Sequence, residues 1–123
     1  MQLTKNFSLS EFNCRDGRKV PPEYMPNVRE LAANLQVLRD EIGEPININS
    51  SYRPPDYNKR IGGARNSQHL TASAADITAK SYTPKKLAAV IERLIKVGKM
   101  KQGGIGIYPG FTHYDIRGKR ARW

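Results

Sequence analysis

From Asn27 to Ile42 the apolar residues Val28, Leu31, Leu35, Leu38 and Ile42 recur at spacings of three and four, one face of a helix, and Gly43 follows as its stop. A second stripe, Leu87, Ile91 and Leu94, comes after Thr83 as cap and Pro84 in the first turn, and predicts a helix ending near Val97-Gly98. Ser8-Leu9-Ser10-Glu11 has the capping-box pattern and predicts a short helix that Asp16-Gly17 ends. Elsewhere the pattern is that of strands. Ile46 and Ile48 alternate with Asn47 and Asn49 between Pro45 and Ser51, and Ala74 to Thr78 is short and apolar. Gly104 to Tyr108 and Phe111 to Arg117 flank Pro109-Gly110, a pair suited to the centre of a type II turn, and predict a β-hairpin. The 123 residues allow one domain, residues 1–123. The fold class expected is α+β: a small, mostly antiparallel sheet with helices packed on its back.

Composition narrows the function. Apolar residues make up 38% and charged residues 26%, with a mean hydropathy of −0.64, so the chain is soluble and rich enough in apolar residues to fold. The first twenty residues contain Lys5, Glu11, Arg15, Asp16, Arg18 and Lys19 and no apolar run, which predicts synthesis in the cytoplasm without a signal peptide or membrane span. Cys14 is the sole cysteine, so an internal disulfide and a cysteine-based zinc knuckle are excluded; it reads as a packing residue. A net charge of +10 attracts anionic partners, among them nucleic acid and the bacterial wall, and it also suits a merely solvated surface. The basic residues are scattered, clustering at Arg15 to Lys19, Lys96 to Lys101 and Arg117 to Arg122, with no zinc-finger or helix-turn-helix signature. No specific nucleic-acid contact is expected.

His69 and His113 are the only histidines, and each stands near a carboxylate, Asp76 and Asp115. Imidazole and carboxylate suit divalent zinc, and three protein ligands leave a fourth position for water, the arrangement of a catalytic site. Alternation along the last strand puts His113, Asp115 and Arg117 on one face and Tyr114 and Ile116 on the other. His69 precedes the strand that carries Asp76, in a segment whose small residues Ala72, Ser73, Ala74 and Ala75 let the two side chains converge. By spacing alone, a pair of histidines on the surface or satisfied in the core is the competing reading.

Ser51-Tyr52-Arg53, Gly62-Gly63, Ser67-Gln68-His69 with Ala72, Ala74 and Asp76, and His113-Tyr114-Asp115-Ile116-Arg117 occur in that order between Ile46 and Trp123. Together they resemble the zinc D-Ala-D-Ala carboxypeptidase family of peptidoglycan peptidases. Phe7-Ser8-Leu9-Ser10-Glu11-Phe12 is similar to the opening of its small phage and prophage members. The resemblance implies the fold shared with lysostaphin-type enzymes and the hedgehog signalling domain, and zinc held by His69, Asp76 and His113.

It also implies roles. Arg53 matches the position that contacts a substrate carboxylate, for which a guanidinium fork is suited; a structural ion pair is the alternative. Ser67 lies beside the metal, binding substrate or stabilising its loop. Relatives place an acidic base three residues before the last histidine, where this chain has Gly110. Asp115 is then the candidate catalytic base, or else the partner that orients a ligand histidine. Gly62-Gly63 reads as a turn, and Tyr108 as a core aromatic or an added proton donor. The function expected is a monomeric zinc metallopeptidase that hydrolyses the stem or cross-link of peptidoglycan, as a D,D-carboxypeptidase or endopeptidase, possessed by a phage for lysis. A non-catalytic zinc-containing wall-binding module and a basic nucleic-acid-binding protein are the rivals.

Overall fold

The computed structural model describes residues 1–123. Eight regular elements follow one another: α1 (Met25–Ile42), β1 (Asn47–Ser50), α2 (Pro55–Arg60), β2 (Ala74–Thr78), α3 (Pro84–Lys96), β3 (Gly104–Ile107), β4 (Thr112–Asp115) and β5 (Ala121–Arg122). Short 3-10 turns lie at Leu9–Phe12, Pro22–Tyr24 and Gln68–Thr71. The strands form one sheet in the order β1-β2-β4-β3-β5, antiparallel throughout except that β5 runs parallel to β3. This is the α+β architecture that the pattern predicts.

One face of the sheet is the core. Ala75 and Ile77 of β2, Ile105 of β3 and Tyr114 of β4 are all buried, and against them pack Leu87, Ile91 and Leu94 of α3 and Val28, Leu31, Leu35 and Leu38 of α1. The helix ends follow local chemistry. Gly43 takes φ +69, the left-handed conformation of a C-terminal cap, and its N–H donates to the Arg39 carbonyl. Thr83 accepts from the Lys86 N–H at 3.2 Å with Pro84 just inside α3. Cys14 is buried in the same core, and burial pushes its thiol pKa up, which suits an inert packing residue.

The differences from the predicted elements have identifiable causes. Glu11 does accept from the Ser8 N–H at 2.7 Å, but the helix it caps is one 3-10 turn that ends at Phe12. Phe12 is fully buried and its carbonyl accepts from the Tyr52 N–H, so it is tied to the segment after β1 and cannot continue a helix. α2 carries no apolar stripe and escaped the periodicity; Pro55 at its first position starts it. β5 is two residues long, below the length at which alternation can be read. Pro109-Gly110 does form a two-residue connection, since Ile107 pairs with Thr112 and the Tyr108 N–H donates to the Phe111 carbonyl. Gly110 does not take the positive φ of a type II turn, so that part of the expectation is corrected. The close Tyr108–Phe111 bond, with the two rings stacked at 4.5 Å, holds the strand ends together instead.

Leu35 is fully buried between the helices and the sheet. Leu35→Ala should lower unfolding free energy by about 2–5 kcal/mol, measured by urea denaturation.

Candidate metal centre

The sheet face opposite the core carries the chemistry. Asp76 and His113 are direct cross-strand partners, so antiparallel pairing brings their side chains together on one face. His69 comes from the 3-10 turn before β2. Ser67 caps that turn by accepting from the His69 N–H at 3.1 Å, and Ala72 ends it in the left-handed conformation, φ 57, turning the chain sharply into β2. Ala72, Ala74 and Ala75 are all fully buried, so only small side chains let the turn lie against the sheet.

His69, Asp76 and His113 are buried, and their ligand atoms lie within 4.8 Å of one another. Asp76 Oδ1 is 3.2 Å from His69 Nε2 and 3.1 Å from His113 Nδ1. The other ring nitrogens decide the tautomers. His69 Nδ1 lies 2.7 Å from the Ser51 carbonyl, which can only accept, so Nδ1 carries the proton and Nε2 is free to ligate. His113 Nε2 lies 2.7 Å from the Asp115 carboxylate and by the same reasoning donates to it, which frees Nδ1. With neutral rings, three lone pairs then face one point, an arrangement that a cation stabilises. This donor set, two imidazole nitrogens and one carboxylate oxygen with their outer atoms anchored, fits zinc.

Burial pushes the Asp76 carboxyl up, but the two imidazoles against its Oδ1, when protonated on the nitrogens that face it, outweigh burial and hold the group well below the usual carboxylate range. Burial lowers the pKa of His69. Burial acts in the same sense on His113, yet Asp115 and Asp76 beside it leave its pKa raised.

The remaining expected residues fall as follows. Arg53 NH2 donates to Asp76 Oδ2 at 2.9 Å, while its Nε reaches Ser50 Oγ and its NH1 the Asn58 side chain. These bonds take three of its five N–H donors and leave two. Asp115 is fully buried, and both oxygens are occupied: Oδ2 by His113 and Arg117 NH2, Oδ1 by the Gly104 N–H and by Arg117 N and Nε. It therefore sits behind the His113 ring, on the nitrogen away from Asp76. Gly110 lies at the hairpin end, and a Cβ there would meet nothing within 4 Å.

A cleft of about 700 Å³ opens over these residues. Arg53, Ser67, His69, Asp76, His113 and Arg117 line it, with the 61–66 loop on one side and Tyr108, Phe111 and Trp123 on the other. Trp123 had no part in the sequence reading. Its indole centre is 4.9 Å from that of His113 and its ring carries the Arg117 guanidinium at 5.4 Å, a cation–π distance. The signal that would have found it is the run Gly103-Gly104-Ile105-Gly106. A Cβ at Gly104 would collide with Asp115 Oδ2 and one at Gly106 with Trp123 Nε1, so these glycines clear space for the two groups around His113. Gly63 of Gly62-Gly63 is likewise more than a turn residue: a Cβ there would run into the side chain of buried Asn58, which donates to the Ala64 carbonyl and anchors the loop.

Two imidazole nitrogens and one carboxylate oxygen at the floor of an open cleft are a donor set that could hold one zinc ion and leave a position for water, as catalytic zinc sites do. The family model of peptidase M15 matches residues 5–115, and the chain belongs to that family. The zinc D-Ala-D-Ala carboxypeptidase of Streptomyces albus G is 42% identical over 82 residues, 62% of this chain and 32% of that enzyme. The chain thus matches about a third of that relative's length.

Trp123 is the sole tryptophan, so intrinsic emission reports on the surroundings of His113. Titrating metal-free protein with zinc should change that emission with saturation at about one equivalent, and His113→Ala should abolish the change. Asp115→Ala should weaken zinc binding by about 10–100-fold in the same titration, because the His113 ring loses its anchor.

Proposed function

We propose that this protein is a zinc metallopeptidase that hydrolyses peptide bonds in the stem or cross-link of bacterial peptidoglycan. The observation that carries the reading is the convergence of His69 Nε2, Asp76 Oδ1 and His113 Nδ1 at the floor of the cleft, with the outer nitrogens of both rings anchored. The similarity to a zinc D-Ala-D-Ala carboxypeptidase supports the substrate class, and a net charge of +10 suits an anionic wall. A phage lysis enzyme acting as a monomer is the biological setting we favour, on the resemblance of the N-terminal segment to small phage members.

Zinc at this centre supplies Lewis-acid polarisation of the scissile carbonyl and acidifies water for attack. The chain's own residues do the rest. Arg53 steadies Asp76 through Oδ2 and offers its two remaining N–H donors to a substrate carboxylate. Ser67 stabilises the His69 turn by capping it. Asp115 orients His113: with both oxygens used, we assign it the positioning role and not that of general base. No acid stands at Gly110, so the chain's help in proton transfer must come from elsewhere in the cleft.

Gly110 also motivates the second reading, a zinc-containing wall-binding module without turnover. Digestion of purified peptidoglycan by zinc-loaded protein and by His113→Ala, with products identified by mass, separates the two. Release of terminal D-alanine defines a carboxypeptidase, and stem fragments or opened cross-links an endopeptidase; either should vanish in His113→Ala. Stoichiometric zinc with no product at any pH would favour the binding module.

A further inference from the structure

We propose that the Tyr108 hydroxyl is a catalytic hydrogen-bond donor, aimed at the scissile carbonyl oxygen as it gains negative charge in the tetrahedral transition state. This rests on the peptidase reading. Tyr108 lies at the end of β3 and lines the same cleft as His69, Asp76 and His113. Gly106 is the cross-strand partner of His113, and alternation puts position 108 on the face of position 106. β5 runs parallel to β3 with Arg122 opposite Ile105, so Trp123 falls on that face too. His113, Trp123 and Tyr108 therefore share one surface.

The hydroxyl is held ready to donate. Tyr108 stacks on Phe111 with ring centres 4.5 Å apart and planes within 16°, which fixes its ring. Trp123 Nε1 lies 2.6 Å from the Tyr108 hydroxyl. An indole N–H can only donate, so the oxygen accepts, and its own proton is left for another acceptor. That accepted bond is the hydroxyl's only one in the chain, so its proton is available to a substrate in the cleft. Gly106 exists to permit this pairing: a Cβ there would strike Trp123 Nε1 and come within 3.0 Å of the Tyr108 ring. Tyr108 transfers no proton: the water oxygen bonds to the carbonyl carbon, the C–N bond breaks, both water protons pass to the departing nitrogen to give a carboxylate and an ammonium group, and Tyr108 keeps its hydrogen throughout.

Tyr108→Phe preserves the ring and its stacking and removes the donor. Relative to wild type, kcat should fall roughly 10²–10³-fold with KM changed by less than about two-fold. The affinity of zinc-loaded protein for a phosphinate analogue of the D-Ala-D-Ala bond should fall by a similar factor, while D-Ala-D-Ala itself binds as before. Zinc affinity, read from Trp123 emission, should be unchanged. Trp123→Phe, which keeps an aromatic ring against His113 but loses the N–H, should cost about ten-fold in kcat. Wild-type kcat in Tyr108→Phe overturns the proposal and leaves the peptidase reading standing. Zinc affinity that falls in step with kcat overturns it as well, because the hydroxyl would then be supporting the metal centre. Wild-type protein without turnover on any peptidoglycan peptide overturns the peptidase reading, and this proposal with it.

Discussion

The pairing of Asp76 with His113 across β2 and β4 is the constraint on which the site depends. Opposed residues of an antiparallel pair project side by side, so two of the three residues that could hold a metal are placed by backbone hydrogen bonds and not by flexible loops. A slip of one residue in either strand would send one ligand into the core face, where Ile77 and Tyr114 now lie. The buried apolar residues that hold the register thus also hold the metal geometry. His69, the third ligand, is fixed against this frame from two directions: its ring donates to the Ser51 carbonyl and its own carbonyl accepts from the Arg53 N–H.

Around these three side chains lies a layer of groups that fix their orientation and protonation. Asp115 and Ser51 choose the tautomers of the two histidines, and Arg53 commits one oxygen of Asp76, so that a single carboxylate oxygen faces the rings. Asp115 keeps its charge although fully buried: burial opposes ionisation, but His113 and Arg117 hold its carboxyl well below the usual range. Such a carboxylate is a poor proton acceptor, which is a second reason, beside its geometry, for assigning it to the orientation of His113.

The glycines of Gly103-Gly104-Ile105-Gly106 show how backbone space serves the same end. β3 flanks β4, and any side chain on its site face would press on the groups around His113. With Gly104 and Gly106 bare, Asp115 and Trp123 come close to the backbone of β3 instead. The C-terminal β5 then brings the indole over the site with its ring edge toward Tyr108. One wall of the cleft is aromatic for this reason, while the opposite wall, the loop anchored by Asn58, carries Arg65 and Ser67.

The sequence by itself determined the helices around Leu35 and Leu87, the alternating strands and the α+β class, because helical and strand periodicity are local; the choice of His69, Asp76 and His113 came from the motif resemblance, since spacing alone left Asp115 beside His113 as well. Boundaries were legible where a local device sets them, as at Gly43 and Thr83, and illegible where a distant contact does, as at Phe12, whose carbonyl is claimed by Tyr52. What only the tertiary structure decided was which side of His113 each neighbour occupies. Strand alternation puts Asp115 on the face of His113, but cannot say that its oxygens are spent on His113 Nε2, Gly104 and Arg117 behind the ring. Nor can a two-residue strand announce itself, so Trp123 reached the site unforeseen. Side-chain direction along one strand is a property of the backbone, whereas the partner a buried polar group takes is settled by every element packed around it.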